Sequence, residues 1–182
     1  MPRKFLVVVD DSPEFEAALR FASRRAKSTG GRVVMLRVLP TDSDAHWSGV
    51  REEIERQQRQ EAEILLNRLG EEAQTRSGAA PVFLIEKGEA QAAIKKVVAA
   101  DPDIKILVLA AGTSSRGPGP LVSAIIKQGA QIGGRKLPVT IVPGELTEDE
   151  LMAWALPTAA NQFWMLSEPE RATAFLRATR GK

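Results

Sequence analysis

The chain contains no cysteine. Disulfides, thiolate metal sites and cysteine nucleophiles are therefore excluded. It has a single histidine, His46, so a multi-histidine metal centre cannot be built within one chain. His46 lies in "TDSDAHWSG", which reads as an exposed loop. No apolar run approaches the ~20 residues that a membrane-spanning helix needs, and no membrane association is expected. The formal net charge is only +2, too small a bias to point to nucleic acid. Internal repeats and low-complexity segments are also missing. The start, "MPRKFLVVVDD", is basic, but its apolar run is short and ends in two acids. It reads as a strand rather than a signal peptide. Together with the absence of cysteine, this fits a protein of a reducing cytoplasm.

What is present is an alternation of apolar runs and amphipathic stretches over 182 residues, a length that suits one domain with an appended segment. Phe5 to Val9 is a short, valine-rich run with both faces apolar, as in a central parallel strand. Ser12 followed by Pro13 and Glu14 is a helix-start signature. Phe15, Ala18, Leu19, Ala22 and Ala26 then recur at helical spacing up to Gly30-Gly31. Arg32 to Leu39 is a second strand. Val50 to Arg76 is a long charged helix with an apolar stripe of Ile54, Leu65, Leu66 and Leu69. Pro81 to Glu86 is a third strand, Gly88 to Ala100 a helix, and Ile104 to Ala111 a fourth strand. After the glycine-rich "GTSSRGPGP", Leu121 to Ile132 reads as a short helix and Leu137 to Val142 as a fifth strand.

This order predicts an α/β fold: a doubly wound, mostly parallel five-stranded sheet with helices on both faces. Ligands of such sheets sit at the carboxyl ends of the strands, where the strand order reverses. Asp10 follows the first strand and Gly112 the fourth. If those strands are neighbours, the two residues share one crevice. Residues 145–182 form a C-terminal helical extension beyond a 1–144 domain. Thr147 with Glu150 is a capping signal, and Ser167 with Pro169 and Glu170 is another. Trp154, Phe163 and Trp164 carry too much apolar surface for a free tail and suit packing on the domain or on a partner.

The acid pair Asp10-Asp11 has several readings. One is the magnesium-binding pair of a response-regulator receiver domain. That needs a phosphoacceptor aspartate after the third strand, where the chain reads Ile85-Glu86-Lys87-Gly88. It also needs a lysine after the fifth strand, where the chain reads Val142-Pro143-Gly144. Both are missing, so the pair is not a phosphorylation site. Asp10 then caps the following helix, or it forms the rim of a nucleotide crevice.

A strand-Asp-x-Ser-helix opening, a long second helix, "EKGEAQAAIKKVVAADPDIKILVLAAGT" and "LPVTIVP" together resemble the universal stress protein family over Lys4 to Gly144. The resemblance implies a sheet of the adenine nucleotide alpha-hydrolase type. It also implies a homodimer in which the fifth strand, Leu137 to Val142, pairs across the subunits. Some members bind ATP through a loop of pattern G-x2-G-x9-G-[ST]. Asp10 matches the family aspartate near the base or ribose, Val38 an apolar position beside the base, and Gly112 the first glycine. Ser115 replaces the second glycine, and Ile125 and Ile126 replace the final Gly-[ST]. Two branched apolar side chains there imply a buried helix face.

The loop keeps three glycines, three hydroxyls and Arg116 ahead of a proline-started helix. It is either a tight connection or an anion cradle built differently. The candidate adenine-nucleotide residues are Val8, Val9, Asp10, Val38, Ala111, Gly112, Ser114, Ser115, Gly117, Gly119 and Ser123. No metal or catalytic residue is predicted. An enzyme of the nucleotidyl-transfer kind needs a basic, glycine-rich loop after the first strand, and this one is acidic. The expectation is a regulatory stress-type protein, non-enzymatic, with ATP or another adenine nucleotide as cofactor. The alternative is a dimeric interaction protein that has lost ATP binding and reaches a protein partner through its dimer surface and C-terminal helices.

Overall fold

The computed structural model describes residues 2–41, 48–112, 117–129, 131–147 and 149–150. The elements are β1 (Lys4–Val9), α1 (Phe15–Thr29), β2 (Arg32–Leu39), α2 (Ser48–Ser77), β3 (Val82–Lys87), α3 (Ala90–Ala100), β4 (Ile104–Ala111), α4 (Pro120–Gln128), β5 (Gln131–Ile132), β6 (Arg135–Lys136) and β7 (Val139–Pro143). Five strands form one parallel sheet in the order β3-β2-β1-β4-β7, and β5 and β6 form a separate antiparallel pair.

Strand parity divides the core in two. Phe5, Val7 and Val9 of β1 face α1 and α2, packing with Leu19, Met35, Leu66 and Val108. Leu6 and Val8 face the other layer, with Leu36, Ile94, Leu107, Leu109, Val122 and Ile125. β1 is buried on both faces because helices cover both, which is why its sequence is a continuous apolar run. In α2 the buried apolar side chains are Ala62, Leu66, Leu69 and Ala73, spaced four, three and four apart. Ile54 is only partly buried, so the stripe grips the core with the C-terminal half of this helix.

Several sequence expectations need correcting. Ser12-Pro13 does not start α1: Glu14 is its N-cap, without a side-chain cap bond, and the Ser12 carbonyl accepts from the Phe15 N–H in the preceding turn. A different acid does cap a helix: Glu89 accepts from the amides of Gln91 and Ala92 at the start of α3. The helix expected over Leu121 to Ile132 stops at Gln128. Ile132 belongs instead to a hairpin whose turn is Gly133-Gly134, at φ 62° and 80°. Two central residues at positive φ make the tight hairpin turn that glycine alone adopts without strain. The hairpin lies against the end of α3. A Cβ on Gly133 would sit 2.7 Å from the Lys95 carbonyl, and Arg135 Nη2 donates to the Val98 and Asp101 carbonyls at 3.2 and 2.9 Å.

The edge strand β7 begins at Val139, two residues later than expected. Leu137 is buried, and the Pro138 carbonyl accepts from the Leu107 N–H at 3.0 Å. Of the two isoleucines expected on a buried helix face, Ile125 is buried but Ile126 is 61% exposed. They are adjacent, so a helix 100° per residue wide in its steps turns one away from the face that holds the other. The capping signal at residue 147 is realised: Glu150 Oε2 accepts from the Thr147 amide and hydroxyl, both at 2.9 Å, and Thr147 Oγ1 accepts from the Glu150 amide. Hydrogen bonding to its charged form holds the Glu150 carboxyl below its ordinary value. The remainder of the expected extension, with Trp154, Phe163 and Trp164, lies outside the described residues, as does His46.

Candidate functional site

The chain leaves β1 to one side through β2 and β3, then crosses back to lay β4 on the other side of β1. The strand order therefore reverses between β1 and β4, where a doubly wound sheet opens a crevice. A cavity of about 530 Å³ lies there. That is within the range of small-ligand sites.

Its floor comes from the strand ends, Val8 of β1 with Leu109 and Ala110 of β4. One wall is the turn after β1, with Asp10, Ser12 and Glu14. The other is the glycine-proline segment leading into α4, with Gly112, Gly117, Pro118, Gly119, Pro120, Leu121, Val122 and Ser123. The N-cap of α4 is Gly119, and among the described residues no side chain caps this helix. Its first amides and the positive end of its dipole thus have no side-chain partner among the described residues.

Asp10 is not a helix cap. Its Oδ1 accepts from the Ser12 amide at 3.1 Å and the Ser12 hydroxyl at 2.6 Å, closing a local turn ahead of α1, which begins at Phe15. Asp11 is exposed and pairs with Arg37 Nη2 at 2.8 Å. Arg37 Nη1 also donates to the Val9 carbonyl at 3.2 Å. Arg37 therefore ties the end of β1 to the turn that carries Asp10. A second cavity, about 340 Å³, lies beside this arginine against α2, with Asp11, Gln58 and Glu61 on its wall.

Glu14 was legible as an acid near the helix start but not as a cavity residue. It is half-buried, and none of its side-chain oxygens is bonded to a described residue. Its position is fixed by Gly144, just past β7: a Cβ there would lie 2.3 Å from Glu14 Cγ and 3.0 Å from its Cα. Only a residue without a side chain permits this approach. On the opposite side, Glu14 Oε1 lies 3.7 Å from the Cβ position of Gly112.

Of the residues predicted for the site, Val8, Asp10, Gly112, Gly117, Gly119 and Ser123 line one cavity. Val9 does not: it points to the opposite face of the sheet, into the core with α1. The alternation of a strand sends Val8 and Val9 to opposite sides. Ala111 is buried beside the cavity, and its carbonyl accepts from the Gly144 N–H at 3.1 Å. Val38 shares the face of Val8 but packs at the margin of the core one strand away. Ser114, Ser115 and Arg116 lie outside the described residues. Ser12, Glu14, Leu109, Ala110, Pro118, Pro120, Leu121 and Val122 line it too and were not among the candidates. The alternation that excludes Val9 would have found Leu109, two residues before Ala111. No cluster of three acidic or histidine side chains able to hold a metal occurs among the described residues.

A family model described as the universal stress protein family matches residues 1–123, from before β1 to within α4. Solved structures agree on the fold. The universal stress protein UspA from Lactobacillus plantarum is similar at 22% identity and TM-score 0.63, covering 77% of this chain and 97% of that one. A universal stress protein family protein from Arabidopsis thaliana with AMP bound is 20% identical with TM-score 0.53, covering 82% and 95%. A universal stress protein in complex with cAMP is 13% identical with TM-score 0.56, covering 77% and 96%. No curated protein matches the sequence. With two thirds of its length matched by the family model, and with the parallel sheet and crevice in place, the chain belongs to the universal stress protein family.

Proposed function

We propose that this protein is a non-enzymatic, regulatory stress protein that holds an adenine nucleotide in the crevice between the ends of β1 and β4. The observation that carries the reading is the cavity itself. An apolar floor, a hydroxyl-accepting aspartate and an uncapped helix N-terminus converge at the point where the strand order reverses. Apolar Val8 and Leu109 suit a base, Asp10 suits ribose hydroxyls as donors, and the glycine-rich wall suits a phosphate. The similar proteins with AMP and cAMP support the same ligand class. We place the protein in the cytoplasm. Among the described residues no helix is long and apolar enough to cross a membrane.

The same reading makes the protein a homodimer through β7. This strand lies at the sheet edge, where unpaired backbone groups invite a partner strand. Ile141 on this strand and Ile126 of α4 are exposed, lining an apolar groove with Leu137 and Val139. That apolar edge also favours a second reading, an interaction protein whose crevice is no longer used. It draws on Ile125 and Ile126 standing where an ATP-binding relative needs glycine and a hydroxyl residue.

One experiment separates the readings: native mass spectrometry of the purified protein, followed by denaturation and analysis of what is released. A dimer that releases an adenine nucleotide, or that takes one up when it is added at millimolar concentration, supports the first reading. A dimer that remains empty under both conditions overturns it in favour of the second.

A further inference from the structure

We propose that this protein associates end to end with further copies of itself, the basic amino end of one sheet meeting the acidic carboxyl end of the next. The strands of the main sheet all run parallel, so every strand start lies at one end of the molecule and every strand finish at the other. The formal net charge of +2 averages over two ends of opposite sign. At the amino end, Lys4 of β1 stands in register with Arg32 of β2, and the Arg32 amide donates to the Arg3 carbonyl. Lys27 lies in the last turn of α1, which Gly31 brings against Arg3: a Cβ on Gly31 would meet the Arg3 carbonyl at 2.5 Å. Lys105 follows the first residue of β4, and Lys136 stands on the hairpin that Arg135 ties to the Asp101 carbonyl. Arg3, Lys27, Arg32, Lys105 and Lys136 are all exposed. Between them stand Asp101, which Lys4 engages, and Asp103. The connections at this end are described throughout except for Ala130.

The other end is acidic. Asp10 and Asp11 follow β1, Glu89 precedes α3, and Glu145, Asp149 and Glu150 follow β7; all are exposed. Arg37 and Lys87, cations of this end, serve Asp11 and Glu55. In sequence, the connections outside the described residues add Asp42, Asp44 and Glu148 against Arg116, so the sign of this end does not rest on them. Helix dipoles favour acids at helix starts and bases at helix ends. That accounts for Glu89 and Lys27. It does not account for Arg3, Arg32, Lys105 and Lys136, which belong to strand starts and the hairpin, or for Asp10 and Glu145, which belong to turns. One molecule cannot bring its two ends together, whereas a second copy can, in a heterologous contact that repeats from copy to copy. The contact runs along the strand axis. β7 lies at the side of the sheet, so the contact is separate from the strand pairing proposed above. Each end also carries the minority sign, Asp101 and Asp103 among bases and Arg37 and Lys87 among acids. Mixed faces of this kind match another protein face rather than the uniform charge of a nucleic-acid backbone.

The test is sedimentation velocity of the full chain at about 20 mM and about 0.5 M salt, between which the reach of a charge falls from about 20 Å to about 4 Å. The expected result is a species that grows with protein concentration at low salt and returns to a single size at high salt. Arg3→Glu with Arg32→Glu reverses the amino end, and Glu145→Lys with Asp149→Lys reverses the carboxyl end. Either pair should weaken the low-salt association about tenfold or more, and mixing the two variants should restore it, since each supplies the end that the other has lost. Arg3→Gln with Arg32→Gln should act in the same direction should a reversal disturb folding. A wild type of one size at both salt concentrations overturns the proposal, as does growth that neither salt nor either pair of reversals affects. Mixed variants that stay apart overturn it too. A labelled oligonucleotide bound at low salt by a wild type that remains one size, and lost with the amino-end reversal, overturns it in favour of nucleic acid. None of these outcomes depends on the nucleotide reading of the crevice.

Discussion

The two ends of the parallel sheet are built on opposite principles. At the amino ends of the strands, charges are paired and backbone groups are joined. Lys4 Nζ meets Asp101 Oδ2 at 2.7 Å, Asp101 accepts from the Asp103 amide, and Arg135 closes the last carbonyls of α3. The Lys4 amide reaches the Asp103 carbonyl, and the Arg32 amide reaches the Arg3 carbonyl. At the carboxyl ends of β1 and β4 lie a cavity and, among the described residues, a helix start without a side-chain cap and a glutamate without a partner. The first end can stabilise the fold because its polar groups are satisfied. The second leaves polar groups open among the described residues, as the proposed binding requires.

The sharpest way to break this contrast is at the satisfied end. Gly133→Ala forces a side chain onto a residue at φ 62° and into the backbone of α3. It should cost about 3 kcal/mol in urea unfolding, from overpacking and the left-handed conformation together. Ligand affinity of the protein that remains folded should be unchanged. A loss under 1 kcal/mol would mean that the hairpin does not brace α3.

At the open end the effect should be reversed. Asp10→Ala removes an exposed side chain whose bonds among the described residues are to Ser12. Stability should change by less than about 0.5 kcal/mol. Adenine-nucleotide affinity should fall about tenfold, as expected for one lost charge-assisted contact. A large drop in melting temperature with unaltered affinity would make Asp10 a structural residue and move the contrast elsewhere.

The smallest effect concerns Asp101, and pH sharpens it. Burial raises its carboxyl, but the Lys4 bond, the Asp103 amide and the Lys4 and Arg135 charges outweigh burial and hold it below its ordinary value. A depressed carboxyl stabilises the fold above its unfolded value, near pH 4, and loses that contribution as pH falls through the folded value. Asp101→Asn should therefore cost about 1 kcal/mol at pH 7, with the cost shrinking below about pH 4. Urea melts across that range measure it. A cost that does not vary with pH would mean that shape rather than charge matters at this position.

The same contrast explains what could be read in advance. β2 and β4 were legible to the residue, because continuous apolar runs between turn residues admit little else. The Gly133-Gly134 hairpin was missed because Leu121 to Ile132 keeps helical spacing while its local turn chemistry says otherwise. At the site, Asp10 and Gly112 were found because they directly follow strands. Glu14 was assigned to the helix start because no local pattern reveals a contact between residue 14 and a glycine 130 positions away along the chain.

The sequence by itself determined the alternation of strands and helices, the two-sided burial of β1 and the acidic turn that follows it. Those are consequences of residue type and spacing along one short segment at a time. Only the tertiary structure decided that β4 pairs with β1, that Val8 rather than Val9 meets the crevice, and that Gly144 seats Glu14 above Gly112. These depend on strand register and on close approach between distant segments, and both are settled when the layers pack rather than when each element forms.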